Sequence, residues 1–371
     1  MHNRMNDRHG MILAAALSAG LALLVGCDRK AGPAAPPAMM AVSASPADSP
    51  VPTGMSLSPL ATLHPGRPTM LAAMPGGSIF ALQSESSGEN STIVEIATGE
   101  GSPRPTTLTA DSVLQVLGVA KGTGTEGGSG RFTAIAPSAD GRLAFSFAGV
   151  AGTRPFAALG TYTPATQQLF VSVDFITLAS VDAELATDVA RPSLFTDGDD
   201  AWLWRTAGSE VRLLMVEGLS KPRPKLSASR VSLEQVKDVV ARSAWEWSAT
   251  PTRGEFLLTD TASRWIRKVD ASSAIAHIAR FDETVTTITP AALDAAGRII
   301  VLGNDRDGIT TCALVQNEDA FKAIDRATFA VTGLNAAAPL RLDRLYPVPA
   351  ERNAFVAYDA TSGRVLRVDF K

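Results

Sequence analysis

From residue 55 onwards, apolar residues alternate with polar residues or come in short runs of four or five. These runs are separated by Gly, Asp and Pro, and they lack the sustained spacing of an amphipathic helix, so the pattern predicts β-strands joined by tight turns. One segment departs from it. Ser232 and Gln235 fit a capping box, and apolar residues recur at helical spacing behind them, which predicts a short helix over 232–244.

The strand pattern repeats six times along this part of the chain. Each unit begins with an extended segment, which is the first strand. A tight turn, an apolar second strand, a looser turn and a third strand follow. Short sheets of this kind cannot bury their own apolar faces, and their repetition is typical of a β-propeller. The second strands are predicted at 78–82, 142–147, 201–204, 255–259, 298–302 and 354–358, and the third strands at 92–97, 168–173, 211–216, 265–270, 310–315 and 364–370.

The sequence therefore predicts an all-β fold, a six-bladed β-propeller over 55–371. A propeller with another blade number and a pair of two-sheet sandwiches are the alternatives. The last unit ends after its third strand, at Phe370, and an uncovered strand edge invites aggregation. Residues 57–63 could supply the missing outer strand, so we expect the N-terminal strand to pair with the last blade and close the ring.

Residues 258–279 carry the most specific part of the repeat. Asp260 precedes a small polar turn, a strand with the pattern apolar-basic-x-Val-Asp ends at Asp270, and a return strand follows. This stretch resembles an NHL repeat, and residues 356–370 match the same pattern more loosely. The resemblance covers two of the six units and implies a propeller body.

The histidine content separates this chain from enzymes of the NHL type. The lyases and amidating enzymes of that class hold a metal in the central channel with several histidines. Downstream of residue 27, this chain has only His64 and His277, so three-histidine ligation is out of reach. The Gly-rich run over 121–130 lacks the Gly-Lys-Ser/Thr ending of a phosphate-binding loop and predicts an irregular loop. We therefore predict no catalytic set, no metal site and no cofactor.

The first 27 residues have the layout of a bacterial export signal. Basic residues precede an apolar run over 11–25, which is too short to span a bilayer comfortably. The run ends in Leu24-Val25-Gly26-Cys27, which resembles a lipobox, whose cysteine thiol receives diacylglycerol. We predict a signal peptide over 1–26 and a lipidated Cys27 that carries palmitate-type chains. Two or three acyl chains at one residue give durable membrane attachment.

The segment after Cys27 predicts a tether. Residues 29–54 are rich in Pro, Ala and Ser, and they offer too little apolar surface to offset the entropy cost of ordering. Asp28 resembles an inner-membrane retention signal, so we expect the protein in the cell envelope, facing the periplasm, at the inner membrane rather than the outer. The net charge of −3, with dispersed charges, predicts no nucleic-acid partner.

Two tryptophan pairs are the candidate contact residues. Trp202 and Trp204 are two positions apart, as are Trp245 and Trp247, so both indoles of a pair lie on one face of a strand. One interpretation is packing between neighbouring blades. The other is an aromatic contact surface for a glycan or a protein.

Three functions are compatible with these features. The favoured one is a membrane-anchored scaffold that binds an envelope protein. The second is a channel-centred hydrolase or lyase, lactonase-like, that uses a divalent cation. The third is a glycan-binding module built on the tryptophan pairs. The anchor, the spacer, the ring and the missing catalytic set are the reasons for placing the scaffold first.

Overall fold

The structure is a computed structural model, and the residues that it describes all belong to the compact unit Ala44–Lys371. They are 55–85, 90–97, 102–122, 127–173, 193–207, 210–232, 245–250, 255–270, 275–280, 287–293, 299–305, 308–315, 325–328, 331–332, 342–349, 351 and 353–370. The predicted signal peptide, Cys27 and the tether lie outside this set. So does the predicted helix over 232–244, apart from Ser232, which ends a strand.

The described elements are almost all strands, as the alternating pattern predicts. In chain order they are β1 (Met55–Thr62), β2 (Thr69–Ala73), β3 (Ile79–Ser84), β4 (Ser91–Ile96), β5 (Arg104–Pro105), α1 (Ala110–Val116), β6 (Gly128–Pro137), β7 (Leu143–Ala151), β8 (Arg154–Thr163), β9 (Gln168–Val173), β10 (Ser193–Asp197), β11 (Asp200–Ala207), β12 (Glu210–Glu217), β13 (Lys225–Ser232), β14 (Trp245–Ala249), β15 (Glu255–Asp260), β16 (Trp265–Asp270), β17 (Ile275–Arg280), β18 (Thr287–Ile288), β19 (Ala292–Leu293), β20 (Ile299–Asp305), β21 (Gly308–Val315), β22 (Asp325–Thr328), β23 (Val331–Thr332), β24 (Leu342–Pro347), β25 (Ala354–Asp359) and β26 (Arg364–Phe370).

Six antiparallel sheets form the blades of a propeller. From the inner strand outwards, blade 1 is β2-β3-β4-β5, blade 2 is β6-β7-β8-β9, blade 3 is β10-β11-β12-β13 and blade 4 is β14-β15-β16-β17. Blade 5 is β18-β20-β21-β22, with β19 also on β20, and blade 6 is β24-β25-β26-β1, with β23 parallel to β1. First strands of neighbouring blades contact one another, so they line the centre of the ring. The predicted six-bladed propeller is confirmed.

Apolar packing holds neighbouring blades together. In the described part of the chain, each of the six junctions contains one cluster of buried apolar side chains. The cluster between blades 1 and 2 is rich in phenylalanine, and Phe80, Phe132 and Phe145 are almost fully buried there. Because each blade exposes two apolar faces, a blade gains most of its burial from its neighbours and not from itself.

The ring is closed by the N-terminal strand, as predicted. β1 runs antiparallel to β26, from Met55 opposite Phe370 to Thr62 opposite Arg364. Leu57 is 2% exposed and packs in the cluster between blades 5 and 6. β1, which precedes blade 1 in the chain, therefore covers the outer edge of β26 in blade 6.

The two ends of β1 define the two faces of the propeller. Its C-terminal end leads into residues 63–68, which lie beside the β25–β26 turn through bonds from Leu63 N–H to Gly363 O (2.7 Å) and from Gly66 N–H to Ala360 O (3.0 Å). We call this side the upper face. Met55 lies at the opposite end, the lower face, about 25 Å away along an eight-residue strand.

Blade 2 departs from the predicted strand order. Residues 168–173, predicted as its third strand, form the fourth, β9, while the third is β8. A tight turn at Gly152, whose φ is 62°, joins β8 to β7. The predicted loop over 121–130 is also partly wrong, because Gly128–Gly130 begin β6. A Cβ at Gly130 would overlap the ring of Phe147, so the strand needs glycine there.

A short helix that the sequence did not predict lies on the way from blade 1 to blade 2. In α1, the Oγ1 of Thr109 accepts the N–H of Ser112 (3.1 Å), and the Oγ of Ser112 accepts the N–H of Thr109 (3.0 Å). Val113 and Leu114 bury the inner side of the helix against blades 1 and 2. Reciprocal capping and this burial stabilise seven residues that would not form a helix alone.

Replacing Leu57 with alanine is expected to lower the free energy of unfolding by about 2–5 kcal/mol, because it leaves a cavity at the closing junction. The matched control is Ser58→Ala on the exposed side of the same strand, with an effect within about 0.5 kcal/mol. Urea unfolding of both variants measures the difference. Equal stabilities would show that β1 does not contribute to the closed ring.

Candidate functional site

The four predicted contact tryptophans are buried between blades 3 and 4. Trp202, Trp204, Trp245 and Trp247 are 7%, 1%, 8% and 3% exposed. The rings of Trp204 and Trp247 are stacked, with centroids 4.9 Å apart, and Phe256 lies edge-on to Trp204. The packing interpretation is therefore correct, and the aromatic contact surface is not present. The glycan-binding hypothesis loses the residues on which it was built.

The aspartates of the repeat pattern hold turns on the upper face. Asp260 accepts two backbone N–H groups of the turn that follows it, at 2.7 and 3.1 Å, and the Nε1–H of Trp245 at 3.2 Å. In blade 6, Asp359 accepts the N–H of Thr361 (3.1 Å) and the hydroxyl of Ser362 (2.5 Å). Both carboxylates shape the turn between the second and third strands of their blade, and both are buried.

The inner strand of blade 6 carries a bulge at the channel mouth. The pairing of β24 with β25 shifts between Leu342 and Leu345, and both of these leucines are buried towards blade 5. The two residues between them are Asp343, which is exposed, and Arg344, which is partly buried. A bulge changes the direction of side chains relative to the regular strand, and here it takes both charged groups out of the packed face.

Arg344 connects blade 6 with blade 4. Its guanidinium donates to the carbonyl oxygen of Trp247 and to the Oγ of Ser248 (3.1 Å), and it lies 3.6 Å from the carboxylate of Glu246. All three partners belong to β14, the inner strand of blade 4. The side chain therefore spans the space in front of blade 5. The side chain of Arg344 is 20% exposed, so the contact lies at the channel wall and not on the outer surface of the propeller.

Asp343 lies in an acidic environment next to this contact. Partial desolvation, followed by the negative charges of Asp359 and Glu246, raises the pKa of Asp343 to about 6. The group therefore changes its charge near neutral pH, although its side chain reaches solvent.

A cavity of about 510 Å³ opens beside blade 1 on the upper face. Its walls are Thr62 at the end of β1, the linker over 63–68, the upper part of β4, residues 103–110 and Phe132 of β6. We call it the blade 1 cavity. Leu63, Ile93 and Leu108 contribute apolar surface to it, and each is less than 10% exposed.

Hydrogen bonds fix the linker that forms one wall of the blade 1 cavity. The buried amide of Gln83 accepts the N–H of His64 (3.4 Å) and donates to the carbonyl oxygen of His64 and the hydroxyl of Thr69 (both 3.2 Å). The hydroxyl of Tyr358 in blade 6 donates to the same carbonyl oxygen, at 2.6 Å. Burial is also the main cause that raises the pKa of Tyr358, so this phenol stays a donor.

Two basic side chains line the blade 1 cavity. His64 is exposed, and Arg67 is partly buried. Within the described ranges, the guanidinium of Arg67 has neither an ion pair nor a side-chain hydrogen bond. The upper face thus combines a polar channel mouth with a partly apolar cavity, whose arginine has no ion pair in the part of the chain that the structure describes.

The other residues that the sequence singled out lie partly or wholly outside the described set. Cys27 lies outside the described residues, and its lipidation stays a prediction. His277 lies in β17, the predicted return strand, but its side chain is outside the described set. In the part of the chain that the structure covers, no three His, Cys, Asp or Glu side chains are grouped so that they could hold a metal ion. No helix among those residues is long and apolar enough to cross a membrane.

Comparison with known proteins assigns the chain to no family. No family model and no curated protein matches the chain. Among solved structures, virginiamycin B lyase from Staphylococcus aureus is 9% identical (TM-score 0.43, covering 85% of this chain and 100% of that one). A gluconolactonase from Xanthomonas campestris is 9% identical (0.43, 85% and 89%), and the Cps50 (Swd1) propeller domain of Myceliophteria thermophila is 10% identical (0.43, 82% and 98%). At these identities the likeness is one of fold alone.

Replacing Arg344 with methionine is expected to lower the free energy of unfolding by about 1–3 kcal/mol, because the hydrogen bonds to blade 4 are lost. Arg364→Met, on the exposed side of β26, removes the same charge and should stay within about 0.5 kcal/mol. Urea unfolding compares the two. If both variants lose equally little, the contact between blades 4 and 6 carries no stability.

Asp343 is expected to make stability depend on pH. Because its pKa is raised in the folded state, the stability that it contributes is fully present below its usual value of 3.8 and is lost as the pH rises to about 6. Asp343→Asn should therefore gain stability relative to the unchanged protein at pH 7 but not at pH 4. Urea midpoints at both pH values measure this, and a gain that is equal at both would contradict it.

Proposed function

We propose that the chain is a lipid-anchored propeller that presents its upper face to a protein partner in the cell envelope. The anchor is the lipid predicted on Cys27, the spacer is the tether predicted over 27–54, and the binding module is the propeller. The inner membrane, facing the periplasm, is the proposed location.

The observation that carries the proposal is the direction of β1. The propeller begins at Met55 on the lower face, whereas the channel mouth and the blade 1 cavity lie on the upper face. A tether that joins the propeller at Met55 would leave the upper face clear of the point of attachment. At about 3 Å per residue, such a spacer would give the propeller a reach of several nanometres.

The upper face has the features that a protein partner would use. It contains the turns at Asp260 and Asp359, the linker over 63–68, and the polar channel mouth around Asp343 and Arg344. Loops carried by a rigid scaffold are the usual place for binding residues. Here the scaffold is the closed ring, which fixes the positions of these loops relative to one another.

The anchor is tested by the variant Cys27→Ala. Labelling with radioactive palmitate in the native host should mark the unchanged protein and not the variant, and the variant should move from the membrane to the soluble fraction. Cys312→Ala is the matched control and should keep both label and location. A variant at Cys27 that remains labelled would remove the lipid anchor from the proposal.

The binding face is tested by photo-cross-linking in intact cells. A photoreactive residue at Thr361, exposed on the upper face, should give an adduct with an envelope protein. The same residue at Pro75, exposed in the β2–β3 turn of the lower face, should not. Adducts only from the lower position, or from neither, would contradict the proposed orientation.

A further inference from the structure

We propose that the blade 1 cavity is a binding site for a small carboxylate with an apolar body. This inference goes beyond the scaffold function, because it concerns a small molecule and does not depend on the lipid anchor. It rests on three features of the cavity: a cation that has no ion pair among the described residues, an apolar lining and a fixed wall.

The cation indicates the charge of the ligand. Arg67 is partly buried, and no acceptor or acid in the described ranges bonds to its side chain. A carboxylate suits this group, because its two oxygens match the two parallel N–H donors of a guanidinium. Among the described residues that line the cavity, Arg67 is the one permanent cation, so the site suits a single negative charge better than a phosphate dianion.

The apolar residues of the cavity indicate that the rest of the ligand is apolar. Leu63, Ile93, Leu108 and Phe132 line the same cavity as Arg67 and give it apolar surface. Covering that surface with an apolar group removes it from water, which is favourable in proportion to the area. A volume of about 510 Å³ lies within the range of small-molecule sites.

The wall indicates that the site is formed before a ligand binds. The linker that carries Arg67 is held by Gln83, by Tyr358 and by the bond from Gly66 N–H to Ala360 O. Gly66 has a φ of 71°, which only glycine adopts without strain, and the hydroxyl of Thr69 donates to the carbonyl oxygen of Arg67 (2.9 Å). A fixed wall lowers the ordering cost of binding.

The probe is 4-phenylbutyrate, with its neutral amide, 4-phenylbutyramide, as the chemical control. Isothermal titration of the mature, full-length protein should show saturable binding of the carboxylate, and binding of the amide at least about tenfold weaker. The variant Arg67→Met should weaken binding of the carboxylate by about tenfold or more. Arg364→Met, which removes an exposed arginine from the same face, should leave it unchanged.

A second variant tests the cavity without changing its charge. Thr92 is exposed and lines the opening, so Thr92→Trp should fill the space and abolish binding while the urea midpoint stays near that of the unchanged protein. Three results would overturn the proposal: equal binding of carboxylate and amide, full affinity in Arg67→Met, or no binding of the carboxylate at millimolar concentration.

Discussion

The pairing of β1 with β26 is the contact on which the rest of the structure depends. Each blade has two apolar faces, and each face is buried only because another blade lies against it. A ring of such blades has no end at which an apolar face is left open, provided that the first and last blades are joined. In this chain the joint is a shared blade: β24, β25 and β26 come from the end of the chain and β1 from the start of the propeller.

The same joint organises the upper face. Because β1 ends next to the β25–β26 turn, the linker from β1 to β2 is bonded both to blade 6, through Tyr358 and Gly363, and to blade 1, through Gln83. Arg67 belongs to this linker, and so one wall of the blade 1 cavity is part of the closure. The bulge in β24 places Arg344 and Asp343 at the channel mouth of the same blade. Both polar features of the upper face therefore involve blade 6.

The sequence predicted the parts of the fold that depend on neighbouring residues. Period-two alternation and Gly-containing or Asn-containing turns located the second strand of every blade, and the short last unit predicted the closure. The helix α1 was missed because Ser112 stands where the usual signature has Glu or Gln. The tryptophans showed the correct periodicity, but alternation alone cannot tell which face of a strand a neighbouring blade covers. Arg344 was missed because its partner Ser248 is 96 positions away, although the three-residue spacing of Leu342 and Leu345 was a visible sign of the bulge.

The orientation of β1 also has a mechanical consequence. The hydrogen bonds of an antiparallel pair lie across the strands. A force that draws Met55 away from the lower face acts along the axis of β1, so it loads the bonds to β26 side by side, in shear, and they must fail together. A force directed sideways from the rim would instead open the same bonds one at a time. A load applied at Met55 along the strand axis therefore meets the joint in its most resistant direction.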